Sequence, residues 1–163
     1  MNTRQIDILN DYFLHSALHL TTLEEQCLRK ICAKDLSIRE LHVIEAVATL
    51  QASEKNTMAE IAKYLHLSPA SLTTAVNVLV KKEYLERQYS PYDRRVIYVH
   101  MTGKGQEAND CYLEFERRMI RTVTSDVDEE TADRLIEILG RLSDYLEGGA
   151  AASASEAGEQ AEL

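Results

Sequence analysis

The sequence predicts a mainly α-helical protein with one small β-hairpin. Apolar residues recur at steps of three and four through most of the 163-residue chain, which is typical of amphipathic helices. The stretch LERQYSPYDRRVIYVHMTGKG, residues 85–105, departs from that spacing, because two short runs of β-branched and aromatic residues flank a Pro-Tyr-Asp-Arg-Arg turn. This pattern predicts a hairpin whose strands are Leu85–Tyr89 and Val96–Thr102.

The first helix is predicted to be long and to reach about residue 34. Its apolar face consists of Ile6, Leu9, Phe13, Ala17, Leu20, Cys27 and Ile31. The segment Asp35-Leu36-Ser37 interrupts this periodicity. Ser37 and Glu40 form an S-x-x-E capping box, which begins a second helix. The predicted buried positions of that helix are Leu41, Ile44, Val47 and Ala48.

Two further helix starts follow in close succession. Thr57 and Glu60 form another capping box, which begins a short helix built on Met58, Ile61, Ala62 and Leu65. Ser68-Pro69 then supplies an N-cap and a proline at the first helical position. The helix that begins there is predicted to run to about Lys82 and to bury Leu72, Val76, Leu79 and Val80. The hairpin comes next.

Two long helices and a tail complete the chain. The first helix after the hairpin has an apolar face of Ala108, Tyr112, Phe115, Met119 and Val123. Asp128 is the predicted N-cap of the last helix, whose apolar face is Ala132, Leu135, Leu139, Leu142 and Leu146. The final stretch GGAAASASEAGEQAEL, residues 148–163, is small, polar and acidic, and we expect a flexible tail there.

Charge is distributed unevenly along the chain. The formal net charge is -9, yet residues 57–105 hold 7 Lys and Arg against 4 Asp and Glu, giving +3. This one net-positive segment contains the adjacent cations Arg94 and Arg95 of the hairpin turn. A polyanion responds to a local basic face rather than to the net charge of the whole protein.

The order of the central elements is typical of a winged helix-turn-helix. A short helix, a tight turn, a helix with a polar outer face and a hairpin follow one another. The major groove of B-DNA admits one α-helix, and a hairpin beside that helix can reach the minor groove, where arginine is favoured. The residues expected to contact DNA are Thr57, Ser68, Ala70, Ser71, Thr73, Thr74, Asn77, Lys81, Ser90, Asp93, Arg94 and Arg95.

Over residues 5–147 the sequence resembles the MarR family of winged-helix transcription regulators. The most specific part is Leu67–Gly105, with Leu79, Leu85-Glu86-Arg87, Asp93-x-Arg95 and Thr102-x-x-Gly105. The resemblance implies that Arg95 enters the minor groove with Asp93 as its orienting partner. It also implies a homodimer intertwined through residues 5–34 and 106–147, in which two winged helices, residues 37–105, bind a pseudopalindromic operator. Glu83 departs from the family, which usually has glycine at the end of the recognition helix.

Within this family the sequence is similar to the branch that represses fatty-acid synthesis genes. The similarity lies in EEQCLRKICAKDLSIRELHVIEAV, NTMAEIAKYLHLS and SPYDRRVIYVHMT. It implies a repressor whose corepressor is a long-chain acyl group on acyl carrier protein, with no resident cofactor. The expected effector pocket is lined by Leu20, Leu23, Arg29, Leu41, His42, Ile44 and Phe115.

Several alternatives remain open at this point. The regulator could sense another small molecule or an oxidant, and a helical interaction dimer that does not bind DNA would share the same helices. No catalytic or metal site is predicted: His15, His19 and His42 do not make up a closed zinc set. We expect a cytoplasmic chain without membrane contact, and the three cysteines, Cys27, Cys32 and Cys111, are expected to be reduced thiols.

Overall fold

The computed structural model of the protein describes residues 2–27 and 34–159. In chain order it contains α1 (Thr3–Cys27), α2 (Ile38–Gln51), α3 (Met58–Tyr64), α4 (Pro69–Lys81), β1 (Leu85–Tyr89), β2 (Ile97–Met101), α5 (Gly103–Val123) and α6 (Glu129–Glu159). The predicted fold class, mainly helical with one hairpin, is confirmed. The chain divides into two compact units, residues 1–118 and 119–163. In the described ranges, no helix has both the length and the apolar character needed to span a bilayer.

The predicted helix starts are confirmed by their caps. The Ser37 hydroxyl accepts from the Glu40 N–H at 3.3 Å, and the Glu40 carboxylate accepts from the Ser37 N–H at 2.7 Å, which completes the capping box of α2. Thr57 caps α3 by accepting from the Glu60 N–H at 3.2 Å. Ser68 caps α4, with Pro69 in its first turn. These side chains fix where the three helices of the winged unit begin.

The same three helices end in left-handed residues that are not glycine. Glu54, His66 and Glu83 have φ angles of 57°, 52° and 65°. At the end of α4 the Glu83 N–H donates to the Val80 carbonyl at 3.0 Å, and the Tyr84 N–H donates to the Leu79 carbonyl at 2.9 Å. These two bonds make up a Schellman motif. Glu83 therefore takes the turn that glycine usually takes in the family, and α4 ends as the family pattern implies.

The hairpin is a two-stranded antiparallel sheet. Its register pairs Leu85 with Met101, Arg87 with Val99 and Tyr89 with Ile97. A bridge between Thr57 and Tyr98 ties the start of α3 to the second strand. The hairpin is therefore attached to the helices along one edge, while its turn projects.

The core of unit 1 draws on every element of the winged helix. Its buried apolar side chains come from α2, α3, α4, both strands and α5, and they include Leu41, Ile44, Val47, Ile61, Leu72, Val76, Leu79, Leu85, Val99 and Tyr112. Most of the buried positions predicted for α2, α3 and α4 lie in this cluster. Burial of this continuous apolar surface is the main favourable term that holds the helix pair against the hairpin.

At the start of α5 the backbone passes very close to Tyr84. Thr102 donates to the Tyr84 carbonyl from its N–H at 3.1 Å and from its hydroxyl at 3.2 Å. A Cβ added at Gly105 would overlap the same carbonyl oxygen, whereas one added at Gly103 would meet nothing within 4 Å. Glycine at position 105 is therefore required by close approach.

Unit 2 consists of the end of α5, a turn and α6. Asp128 caps α6, as predicted, by accepting from the Thr131 N–H at 2.8 Å. The helix continues through Glu159, past the expected boundary at 147, because the alanines of this stretch are strong helix formers. The flexibility expected of residues 148–163 stays a prediction.

One expectation about the cysteines is wrong. Cys111 takes part in a disulfide bond. The side chain of Cys27 and the whole of Cys32 lie outside the described part of the chain. A disulfide requires Cβ atoms about 4 Å apart. Spacing along the sequence does not show which cysteines the fold brings that close.

Gly105→Ala should destabilise the protein, because the added methyl group would have to displace the Tyr84 carbonyl from its bonds with Thr102. We expect a loss of about 1–3 kcal/mol in the free energy of unfolding, the usual cost of overpacking. Urea denaturation checks this, with Gly103→Ala as the matched control in the same helical turn. Equal stability of the two variants would contradict the close approach.

Candidate nucleic-acid interface

The recognition helix α4 has one buried face and one exposed face. Leu72, Val76 and Leu79 are fully buried. The predicted DNA-contacting residues of the helix lie on the other side and are all exposed, namely Ala70, Ser71, Thr73, Thr74, Asn77 and Lys81. The predicted division of α4 into a core face and a polar face is confirmed.

Several hydroxyl groups at α4 form hydrogen bonds within the helix. Thr73 donates to the Pro69 carbonyl at 2.7 Å, and Thr74 donates to the Ala70 carbonyl at 3.1 Å. The Ser68 and Ser71 hydroxyls lie 2.8 Å apart. The two threonines therefore offer DNA a methyl group and oxygen lone pairs rather than an O–H donor.

The wing turn is built by two side chains that were predicted to contact DNA. The Ser90 hydroxyl accepts from the N–H groups of Tyr92 and Asp93 at 3.2 and 3.4 Å, and Ser90 is buried. The Ser90 hydroxyl thus points into the turn, and the direct DNA contact expected of Ser90 stays a prediction. Asp93 accepts from the backbone N–H of Arg95 at 2.9 Å. The aspartate thus orients the Arg95 backbone.

Residues from three elements meet beside the wing. A cavity of about 380 Å³ lies between the start of α3, the start of α4 and the second strand of the hairpin. Its lining includes Thr57, Thr73 and Arg95, which the sequence predicted as DNA contacts, together with Met58, Ala59, Pro69, Val96 and Ile97. Arg94 and Arg95 are both exposed. The structure therefore brings helix hydroxyls and a wing cation to one surface.

Sequence reasoning missed a bond between the hairpin and the recognition helix. The Arg87 Nη1 atom on β1 donates to the Asn77 Oδ1 atom on α4 at 2.7 Å. A signal for it was present in the sequence. Alternate positions of a strand share one face, so Arg87 is a charged residue on the same face as the buried Leu85 and opposite the buried Val99.

A second group of charged residues fixes the end of α4 to the start of α2. The Lys82 ammonium donates to both Glu40 carboxylate oxygens, at 2.8 and 2.9 Å, and to the Asp35 carbonyl. The Tyr84 hydroxyl donates to Asp35 at 2.7 Å, and Lys104 lies 3.6 Å from the same carboxylate. Two of the seven cations in residues 57–105 are therefore ion-paired within this network.

Both carboxyl groups of this network favour their charged forms. The Tyr84 hydrogen bond is the main cause that lowers the pKa of Asp35. Burial opposes ionisation of Glu40, but the bonds from Lys82 and Ser37 outweigh it and lower the pKa of that carboxyl. Hydrogen bonds from fixed donors to ionised carboxylates are stronger than hydrogen bonds between neutral groups.

The predicted effector residues occupy different environments. Leu41 and Ile44 are fully buried in the core, whereas Leu20 and Leu23 are exposed on α1 and Phe115 is partly buried. Arg29 lies outside the described residues. A cavity of about 580 Å³ is lined by Arg39, Glu40, His42, Val43, Leu65, Leu67, Ser71 and Ala75, and it shares only His42 with the predicted set.

His42 also lies near a buried polar pair that joins α1 to α5. The Tyr112 hydroxyl donates to the Glu24 carboxylate at 3.0 Å, and both side chains are buried. The His42 Nε2 atom lies 4.0 Å from Glu24. Burial is the main cause that raises the pKa of Tyr112.

The helix pair, the polar face of α4 and the basic wing define a winged helix-turn-helix of the DNA-binding class. The MarR family model matches residues 36–97, which span this unit from the start of α2 into β2. The winged helix of this chain is therefore similar to that of the MarR family.

Individual relatives agree with that assignment. YhbI of Bacillus subtilis, an uncharacterized HTH-type transcriptional regulator, is 26% identical over 99 residues, which are 61% of this chain and 64% of its own length. The transcriptional regulator ZitR of Lactococcus lactis is 24% identical over 138 residues, 74% of this chain and 94% of its own. The match thus spans less than two thirds of YhbI.

A solved structure is similar over a larger share of the chain. The crystal structure of Streptococcus pneumoniae FabT in complex with DNA has a TM-score of 0.79 and 29% identity, and the match covers 88% of this chain and 98% of that chain. YhbI and ZitR are transcriptional regulators, which supports the prediction of a MarR-type regulator and agrees with the prediction that the chain is not an enzyme.

Lys82→Met should lower stability by about 1 kcal/mol at neutral pH, because it leaves the largely buried Glu40 without its cation. The folded pKa values of Glu40 and Asp35 lie below their unfolded values, so their contribution is present at neutral pH and is lost as the pH falls through the folded pKa values. The difference between variant and wild type should therefore shrink below about pH 4.

Thermal unfolding over a pH series measures this difference. Lys81→Met is the matched control, since Lys81 is exposed on the DNA-facing side of α4. It should leave stability nearly unchanged and weaken DNA binding. A pH-independent loss in Lys82→Met would show that packing of the lysine stem, rather than the ion pair, holds the helix end.

Proposed function

We propose that this protein is a sequence-specific, DNA-binding transcriptional repressor that acts as a homodimer. The observation that carries the proposal is the meeting of Thr57, Thr73 and Arg95 on the surface shared by α3, α4 and the wing. A helix with a polar outer face suits the major groove, and a projecting cation beside it suits the adjacent minor groove. The similar structure of FabT in complex with DNA supports the same arrangement.

In this proposal each part of the site has a separate task. The N-terminus of α4 directs backbone N–H groups toward phosphates, and Lys81 adds a cation at the other end of the helix. Arg95 occupies the narrow minor groove, where negative potential is concentrated. Asp93 keeps the Arg95 backbone in the turn that makes this projection possible.

Exposed apolar side chains on α1 support the homodimer. Ile6, Leu9, Tyr12, Phe13 and Leu23 are each at least 44% exposed. A helix that exposes so much apolar surface is typical of an element that packs against a partner. A two-fold dimer presents its recognition helices about 34 Å apart, one turn of DNA, which accounts for a pseudopalindromic operator.

We further propose that the regulated genes are those of fatty-acid synthesis. Two observations favour this branch: the sequence similarity of the α1–α2 and wing segments, and the 29% identity with FabT across most of the chain. The corepressor would be a long-chain acyl group presented by acyl carrier protein. Such a ligand alters operator affinity only if it binds better to the dimer whose lobes have the DNA-binding spacing.

Arg95→Ala tests the DNA-binding proposal. Affinity for operator and for unrelated DNA should both fall. The slope of log affinity against log salt concentration should become shallower by about one unit per wing, because one phosphate-neutralising charge is lost. Fluorescence anisotropy titrations at several salt concentrations measure both quantities. Arg117→Ala, an exposed arginine on α5 outside the hairpin, is the control. Unchanged affinity and slope in Arg95→Ala would contradict the wing assignment.

Carrier titrations test the lipid branch. Long-chain acyl carrier protein should tighten operator binding, whereas short-chain and unacylated carrier should have little effect, because only a long chain fills an apolar cavity. Operator affinity is measured with each carrier species at equal concentration. Equal affinity with all of them would leave a MarR-type repressor that senses another effector. Absence of salt-dependent DNA binding would instead favour a helical interaction dimer that does not bind DNA.

A further inference from the structure

The bond between Arg87 and Asn77 changes what the recognition helix can present to DNA. Asn77 lies on the exposed face of α4, one turn from Thr74 and from Lys81. The Arg87 guanidinium on β1 reaches it at 2.7 Å. A side chain in the middle of the DNA-facing surface is therefore held by the first strand of the wing.

The chemistry of the two groups fixes the orientation of the amide. A guanidinium has only donors, so the asparagine atom that faces it must be the carbonyl oxygen. The Asn77 Nδ2 group, with its two donors, then points away from Arg87. An asparagine pairs with adenine through both ends of its amide, since it donates to N7 and accepts from the N6 amino group. With one of the two lone pairs of Oδ1 engaged by a cation, this two-bond pairing is weakened.

The position of Arg87 makes the bond more than a chance surface contact. In the hairpin register Arg87 is opposite Val99, which is fully buried. The Arg87 side chain itself is half-buried. Its stem is therefore held on the inward face of the sheet, and only its end reaches α4. A cation held in this way loses less conformational freedom when it forms the bond.

We propose that Arg87 is a positioning residue that holds the Asn77 oxygen toward the wing and turns its Nδ2 donors outward, and that this position of the helix selects guanine over adenine. The major-groove edge of guanine offers two adjacent acceptors, N7 and O6, and no donor. This inference rests on the proposed function, since it names the base that the same site would recognise. It also replaces the simple expectation that asparagine on a recognition helix pairs with adenine.

Selection of bound sequences from a random DNA pool tests the proposal. Wild type should enrich a guanine at one position of each half-site, and Asn77→Ala should abolish the preference there, which identifies the position. Arg87→Met keeps the apolar stem and removes the donors. It should shift the preference at that position from guanine toward adenine by about ten-fold, because the freed amide can make both bonds. Preferences at the neighbouring positions should stay unchanged.

Two further variants keep the test decisive if Arg87→Met unfolds, which its thermal melting curve would show. Arg87→Lys keeps a charged donor and should retain guanine. Asn77→Asp keeps a bond to Arg87 but has no donor of its own, so it should lose the guanine preference. Retention of guanine by Asn77→Asp, or an unchanged preference in Arg87→Met, would overturn the proposal.

The selection experiment distinguishes failure of this inference from failure of the proposed function. If wild type enriches no sequence above the random pool, the protein is not a sequence-specific DNA-binding regulator, and the inference falls with it. If wild type enriches a pseudopalindrome whose Asn77-dependent position is adenine, the proposed function stands and the role of Arg87 is wrong.

Discussion

The structure of the winged helix depends on the hydrogen bonds of a single residue, Tyr84. Its N–H donates to the Leu79 carbonyl and closes the recognition helix, while its carbonyl accepts from Thr102 at the end of the hairpin. Its hydroxyl donates to Asp35 ahead of α2. Gly105 packs against the Tyr84 carbonyl so closely that no residue with a Cβ atom would fit at position 105. Recognition helix, wing, α2 and α5 are therefore joined at one point, and a shift of any one of them breaks a hydrogen bond.

This arrangement divides the basic residues of an acidic protein between two tasks. Lys82 and Lys104 are paired with Glu40 and Asp35, where they hold the frame together. Arg95 is exposed at the turn of the wing, on the surface that it shares with the start of α4. Charge that stabilises the fold is thus separate from charge that faces a polyanion. A net charge of -9 says nothing about that separation, because DNA responds to the local potential of the surface it meets.

Internal hydrogen bonds restrict which groups the exposed face of α4 can present to a ligand. Thr73 and Thr74 donate their hydroxyl hydrogens within α4, and Asn77 accepts from Arg87. The surface therefore presents methyl groups, oxygen lone pairs and amide donors in fixed positions. Such preorganisation reduces the conformational entropy lost on binding. The same reasoning applies to Ser90, whose buried hydroxyl shapes the wing turn.

The sequence by itself determined the order of the elements, the caps at Ser37, Thr57, Ser68 and Asp128, and most of the core, because these depend on local periodicity and on side chains within one turn. It also located the exposed polar side of α4 and the basic wing. Only the tertiary structure decided which distant groups meet. Arg87 and Asn77 are ten residues apart, Lys82 and Glu40 forty-two, and neither pairing follows from spacing along the chain. Tertiary packing also decided the disulfide at Cys111 and the left-handed turn at Glu83. Both depend on where packing places the backbone rather than on the conformational preferences of cysteine and glutamate.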